Sequence, residues 1–302
     1  MDPIRESLLK TSKKTRRERR GRIITFACIL LIVVMVAALL LFVTFKGLAT
    51  FFVNHVNPIS FLFGTNWNPG QKNPQLGALP MFLGSILVTI FSAIVATPFA
   101  IGAATFMTEI SPRTGKKFLQ PVMELLVGIP SVVYGFIGLT VFVPLMRNLF
   151  GGSGFGILTA TLVLFVMVLP TITSMTTDAL NSVPRNYRES SLALGATRFQ
   201  TIYKVVWRSA TPGIMTAVVF GMSRAFGEAL AVQMVIGNAA LMPHSLISPA
   251  STLTSILTMG IGNSVMGTLE NNALWSLALL LLLMSLLFNM LVRWIGRRSS
   301  LK

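Results

Sequence analysis

Two ionisable residues interrupt the apolar run 213–236: Arg224 and Glu228, four positions apart. On a helix that spacing places both on one face. An ionised group inside a membrane is costly, so such groups face a cavity or one another and tend to mark transport paths. The planar fork of an arginine donates to two oxygens at once, which suits a tetrahedral oxyanion. Two readings follow from the pair alone. In one, Arg224 contacts a translocated anion and Glu228 holds or releases it. In the other, the two residues form a structural ion pair that never meets a substrate. Gly213, Ala217, Gly221 and Ala225 recur every four residues in the same run. Such a small-residue stripe lets a second helix approach closely.

A second constellation lies in the polar segment 178–212. The stretch from Glu189 to Ala196 is helix-compatible until Gly195 interrupts it, and the stretch from Thr197 to Lys204 resumes with Phe199, Ile202 and Tyr203 expected on one face. Two short helices around a glycine form either a rigid knob that docks into a partner's groove or an amphipathic hairpin lying on the membrane surface.

Hydropathy sets the elements that position these residues. The chain has 302 residues, 53% of them hydrophobic and 11% charged, and its mean hydropathy is +0.73. A soluble domain carries roughly a quarter charged residues, which excludes that class. Six runs are long enough to cross about 30 Å of hydrocarbon as helices: 23–45, 81–108, 118–145, 157–177, 213–236 and 273–292. Lipid cannot satisfy an open backbone, so each run is expected to be a continuous helix. A β-barrel is disfavoured because the runs lack alternating polar positions. The expected fold is therefore all-α and integral to the membrane. Run 23–45 is too long for the apolar core of a cleavable signal peptide and reads as a signal anchor. Pro98, Pro130, Pro144 and Pro170 are expected to kink or end helices.

Charge gives the sidedness. The formal net charge of +16 comes from 25 Lys+Arg against 9 Asp+Glu. Segments 1–22, 109–117, 178–212 and 293–302 carry 21 of those 25 basic residues. The intervening loops hold only Lys46, Lys72 and Arg147, and Arg224 is the last. Positive-inside bias places both termini in the cytoplasm. It also accounts for the basic N-terminal segment as a topology label that touches anionic lipid, and nucleic acid is not an expected partner. On the other side, loop 46–80 is rich in turn residues and able to meet an external partner. In loop 237–272, Leu253, Ile256, Leu257 and Ile261 recur near helical spacing, which suggests a short helix on or dipping into the membrane.

Several chemistries lack their residues. The lone Cys28 excludes an internal disulfide and reads as a buried inert thiol in an apolar run. His55 and His244 lie far apart in external loops without metal-ligand partners. Glu124 reads as an interfacial or packed carboxylate, with a gate role as the rival. Gly115-Lys116 has no glycine five residues earlier and is followed by Lys117, so the chain has no phosphate-binding loop of the ATPase kind.

The pattern Glu189-x-x-x-x-x-Gly195, before the penultimate span, resembles the EAA signature of ABC importer permeases. Ser190 and Ser191 stand where that signature has two alanines, and Trp207-Arg208 replaces the usual Leu-Pro. The stretches from Gly128 to Gly135 and from Ala193 to Thr197 resemble phosphate-permease patterns. Arg224-Ala225-Phe226-Gly227-Glu228-Ala229-Leu230-Ala231-Val232, ending in Ile236-Gly237-Asn238, is similar to the PstC-type subunit, as are Trp67-x-Pro69 and Gly77-Ala78-Leu79-Pro80. The similarity runs from about Pro58 to the C terminus.

The resemblance implies a type I ABC importer permease fold with six transmembrane helices, in a multi-pass subunit of the bacterial cell (inner) membrane. It implies import of inorganic phosphate together with a PstA-type second permease, a PstB-type ATPase dimer and a PstS-type external phosphate-binding protein. It assigns Arg224 and Glu228 to the substrate pathway, and Glu189, Ala193 and Gly195 to ATPase coupling. ATP hydrolysis belongs to the partner subunits, so the chain itself is not expected to be an enzyme or to hold a metal or cofactor. The alternatives are an ABC permease for another oxyanion, such as sulfate or molybdate, or an ATP-independent anion channel or secondary transporter. The expected organisation is a basic tail over 1–22, an anchor helix over 23–45, an external loop over 46–80, a permease domain over 81–294 containing the coupling loop at about 185–212, and a tail over 295–302.

Overall fold

The computed structural model describes residues 13–71 and 73–299. The ends of the two expected tails, 1–12 and 300–302, and Lys72 lie outside the described residues. The chain divides by its contacts at Lys46, and each part is treated by itself. In the first, residues 13–46 are helical, belonging to the helix Lys13–Phe52. Its side chains from 17 to 42 are exposed, so the apolar ones are available to lipid. Cys28 is among them: the thiol expected to be buried is exposed on this chain.

The second part is a helical bundle. Among the described residues, five helices are long and apolar enough to cross a membrane: Arg17–Phe52, Leu79–Ile110, Ser131–Phe150, Ile157–Asn181 and Leu269–Leu291. Two of the six runs expected to be continuous helices are broken. Run 118–145 divides at Ile129 and Pro130, which are extended, between the helices Pro112–Gly128 and Ser131–Ile137. Pro130 has no N–H to donate, and its ring pushes the residue before it out of the helical region. Pro144 likewise stands in the first turn of the helix Val143–Phe150, whereas Pro98 and Pro170 lie inside continuous helices.

Run 213–236 also divides. The helix Trp207–Phe226 ends at Gly227, and a short helix Leu230–Val235 follows. The break is satisfied from within the protein: the Thr254 hydroxyl donates to the Glu228 carbonyl at 2.8 Å. Irregular backbone at membrane depth is tolerated only where protein or a water-filled cavity receives it.

The Ile157–Asn181 helix is the centre of the packing. Val163, Leu164, Val168 and Ile172 on it are almost wholly buried, in one cluster with Ala96 and Ala100 of the Leu79–Thr105 helix and Ala217 and Ala225 of the Trp207–Phe226 helix. The small-residue stripe does what its spacing suggested. A Cβ on Gly213 would lie 2.6 Å from the Ala179 Cβ, and one on Gly221 would lie 2.5 Å from the Ile172 Cγ1. Elsewhere a Cβ on Gly84 would overlap the carbonyl oxygen of Ser251, so the chain at 250–252 crosses directly over the Leu79–Thr105 helix.

That crossing leads into the helix expected from the leucine spacing. It runs Leu253–Gly260 and begins in a capping box: Thr252 Oγ1 accepts from the Ser255 N–H at 3.1 Å, and Ser255 Oγ accepts from the Thr252 N–H at 2.9 Å. Leu253 and Leu257 bury into a second core with Phe61, Trp67, Met81 and Phe226, so this helix dips into protein. The only strands among the described residues, Trp67–Asn68 and Gln75–Leu76, pair antiparallel and send Trp67 and Leu76 to the same core.

Candidate functional site: an unpaired arginine and a clamped loop

Arg224 occupies the last turn of the Trp207–Phe226 helix and is exposed. One guanidinium N–H donates to the Thr171 hydroxyl at 2.6 Å. Thr171 belongs to the Ile157–Asn181 helix and follows Pro170. Tyr134 stands near enough to feel the charge of Arg224.

Glu228 does not share a helical face with Arg224, because the helix ends between them. Its backbone N–H donates to the Ala225 carbonyl at 3.2 Å, and its Oε1 accepts weakly from the Ala231 N–H at 3.4 Å. It is half-buried and lines a small cavity with Ser85, Thr89, Thr252 and Thr254. No ion pair within 4.0 Å joins it to Arg224; the one ion pair among the described residues is elsewhere. The expectation that both residues lie on one face of one helix is therefore corrected, and the structural-pair reading loses its geometry. What remains is a guanidinium whose one described hydrogen bond goes to a neutral hydroxyl. Such a group keeps most of its five donors for another acceptor.

A cavity of about 430 Å³ opens between the Pro112–Gly128 and Ile157–Asn181 helices. Lys116, Glu124, Ser174 and Asp178 line it. Ser174 is exposed and lies about one turn beyond Thr171 on the same helix. Glu124 is exposed rather than packed and accepts from Gln120 at 2.9 Å.

The loop 178–212 folds as its glycine suggested. A helix Arg185–Ala193 with no buried residue is followed by Gly195 at φ +82°, and a turn Arg198–Gln200 leads into a wide-turned helical segment, Thr201–Val206. Glu189, Ala193 and Gly195 are all exposed, as the docking expectation requires of them. Leu194 is 89% exposed and Phe199 76%, leaving an apolar tip open to a partner. Phe199 and Tyr203 stack with parallel rings 6.3 Å apart, but Ile202, expected on their face, turns into the protein.

The loop is fastened by a residue that hydropathy does not single out. Glu109, at the end of the Leu79–Ile110 span, receives Arg188 with its Oε1 at 2.6 Å from one fork nitrogen, and both of its oxygens lie 3.2 Å from Nε. Arg188 also donates to the carbonyls of Val183 at 2.6 Å and Leu180 at 2.9 Å. Arg198 donates to the carbonyls of Glu109 and Ile110. Glu109 stands 79 residues from Arg188, so no local pattern announces the pair.

Residues 96–301 match the family model described as "Binding-protein-dependent transport system inner membrane component". The chain is 54% identical over 295 residues, 97% of its length and 96% of the relative's, to the "Probable ABC transporter permease protein YqgH" of Bacillus subtilis. It is 35% identical to the "Phosphate transport system permease protein PstC" of Pasteurella multocida, covering 75% of this chain and 76% of that one. The Mesorhizobium japonicum protein of the same description is 34% identical, with 79% and 78% covered. Among solved structures, an inward-facing MetNI methionine ABC transporter matches with a TM-score of 0.51 at 21% identity, covering 70% of this chain and 93% of that one. An amino acid ABC transporter with histidines matches with a TM-score of 0.52 at 17% identity, over 72% and 92%.

Proposed function

The chain belongs to the binding-protein-dependent inner membrane components, as a type I ABC importer permease, and on that premise we propose that the anion it passes is inorganic phosphate. It is a multi-pass protein of the bacterial inner membrane and a transport component rather than an enzyme. In the proposed assembly it pairs with a PstA-type second permease. A PstB-type ATPase dimer sits against the 185–206 loop, and a PstS-type phosphate-binding protein delivers from outside. The run of PstC relatives at about a third identity supports this choice of cargo and partners.

The observation that carries the reading is Arg224. An exposed guanidinium in an apolar helix, hydrogen-bonded to a neutral threonine and paired with no carboxylate among the described residues, lacks the counter-charge that such a position ordinarily demands. A passing phosphate supplies it, and the fork matches two phosphate oxygens at once. With the loop 178–212 and both termini cytoplasmic, as the basic residues imply, ATP binding in the partners moves the loop and the Trp207–Phe226 helix that continues from it. Glu228, at the break beyond Arg224, then faces the same path through its hydroxyl-lined cavity.

The test is uptake of labelled phosphate by cells carrying Arg224→Gln. A charged hydrogen bond to a bound anion is worth about 1.5–3 kcal/mol, so uptake should fall by at least about tenfold at unchanged abundance. Undiminished uptake at normal abundance would sink the assignment. Competition by excess sulfate against the unaltered chain would move the cargo to another oxyanion.

A further inference from the structure

We infer that Glu109 is a positioning residue that couples the 185–206 loop to the Leu79–Ile110 helix, so that a displacement of the loop carries that helix with it. The inference rests on the import reading above and concerns how motion spreads, not what is carried.

Chain continuity alone connects the loop to two long helices, Ile157–Asn181 before it and Trp207–Phe226 after it. The side chains add a third. Arg188, on the first short helix of the loop, closes its fork on the Glu109 carboxylate, and the pair is only 20% and 11% exposed. A partly dry, forked pair holds its geometry far better than an exposed one. The same guanidinium takes the carbonyls of Leu180, in the last turn of the Ile157–Asn181 helix, and of Val183, just past its end. Arg198, on the second short helix, takes the carbonyls of Glu109 and Ile110, which no further turn of their own helix can satisfy. Trp207 Nε1 donates to Thr105 Oγ1 at 3.0 Å, one turn before Glu109. Ser191 and Thr201 then tie the two halves of the loop across Gly195 at 3.0 Å.

Both halves of the loop are thus bolted to the same helix end, and Glu109 is the one carboxylate in the joint. The exposed tip formed by Leu194 and Phe199 stays clear of it. A partner pressing on the tip therefore moves a lever whose far arm is the Leu79–Ile110 helix. Removing the Glu109 charge leaves the tip intact while loosening the arm. This separates docking from transmission: the ATPases should still bind and hydrolyse ATP, but the strokes should no longer reach the span.

The experiment uses the complete importer, this chain with its second permease and ATPase subunits, in lipid vesicles. With Glu109→Gln, ATP hydrolysis should stay within about twofold while phosphate moved per ATP falls about tenfold, within the range by which substitutions on a coupling route act. A second readout needs no phosphate. In a Cys28→Ser background, Ser174→Cys places one thiol in the 430 Å³ cavity, and its rate of labelling by a water-soluble maleimide should change on adding ATP. Glu109→Gln should abolish that change. Unaltered phosphate per ATP together with an unaltered ATP response of the thiol overturns the inference. If Glu109→Gln fails to accumulate, Arg188→Lys serves, because it keeps the charge and loses the fork; the ATP response of the thiol should again vanish, and its survival overturns the inference equally. A thiol that responds to ATP in an importer that moves no phosphate would overturn the cargo and leave the coupling standing.

Discussion

Gly221→Ala places a methyl group where the Trp207–Phe226 and Ile157–Asn181 helices touch, and its effect can be worked from the contact. The new Cβ would lie 2.5 Å from Ile172 Cγ1 and 2.8 Å from Ile172 Cδ1. Carbon atoms rest at about 3.5–4.0 Å, so one partner must give by about 1 Å. Ile172 is wholly buried, so in a close-packed interior it gives way only by displacing its neighbours. Overpacking of this kind costs about 1–3 kcal/mol, and the better helix propensity of alanine returns about 1 kcal/mol. The net loss is therefore small, about 1 kcal/mol. Ile172→Ala alone leaves a hole and costs about 2–5 kcal/mol. The double variant is the informative one. Both atoms that clash with the new methyl are among those that Ile172→Ala removes, and the methyl enters the space they leave. The pair should cost less than the sum of its singles by about 1–3 kcal/mol, the whole of the overpacking term. Because membrane subunits rarely unfold in one step, the comparison belongs to midpoints of heat-induced unfolding in a single detergent, followed by tryptophan fluorescence. Strictly additive shifts would refute the reasoning, since they would mean that the two helices do not meet at this contact.

Other predictions are narrower. Gly195→Ala forces a side chain into φ +82°, at about 1–2 kcal/mol, and should tilt the exposed loop: phosphate transport driven by the ATPases should drop while the abundance of the chain stays normal. Thr252→Ala removes half of the capping box that starts the Leu253–Gly260 helix. That loss of about 1 kcal/mol should lower the thermal midpoint of the purified chain, and an unchanged midpoint would show that the Ser85 hydroxyl holds the helix start on its own.

Local periodicity was the legible part. Apolar runs located the long helices, and a four-residue repeat of Gly and Ala foretold the close packing at Gly213 and Gly221, because both patterns depend on neighbours along one helix. The helix–glycine–helix form of the loop was legible for the same reason. The break at Ile129-Pro130 was legible only from the proline, which is expected to kink or end its helix; the break at Gly227 to Ala229 was not, since hydropathy averages over it and a run stays apolar whether or not its backbone is continuous. That error moved Glu228 off the face of Arg224. Thr171 and Glu109 escaped notice because their partners, 53 and 79 residues away, are met only through the fold.

The interruption after Phe226 has an electrical consequence. Aligned peptide units leave about half a negative charge at the C-terminal end of a helix, and Arg224 stands in that last turn. Were the helix to run on unbroken to Val235, this pole would sit about two and a half turns farther along. Ending it here sets peptide dipoles beside the guanidinium, where they favour the cation by about 0.3–2 kcal/mol. Compensation by dipoles differs in kind from compensation by a carboxylate. It steadies the cation without cancelling its full charge, so the local field remains attractive to an oxyanion. For the proposed path, the broken helix thus serves as a partial counter-ion that does not have to move aside when the substrate arrives.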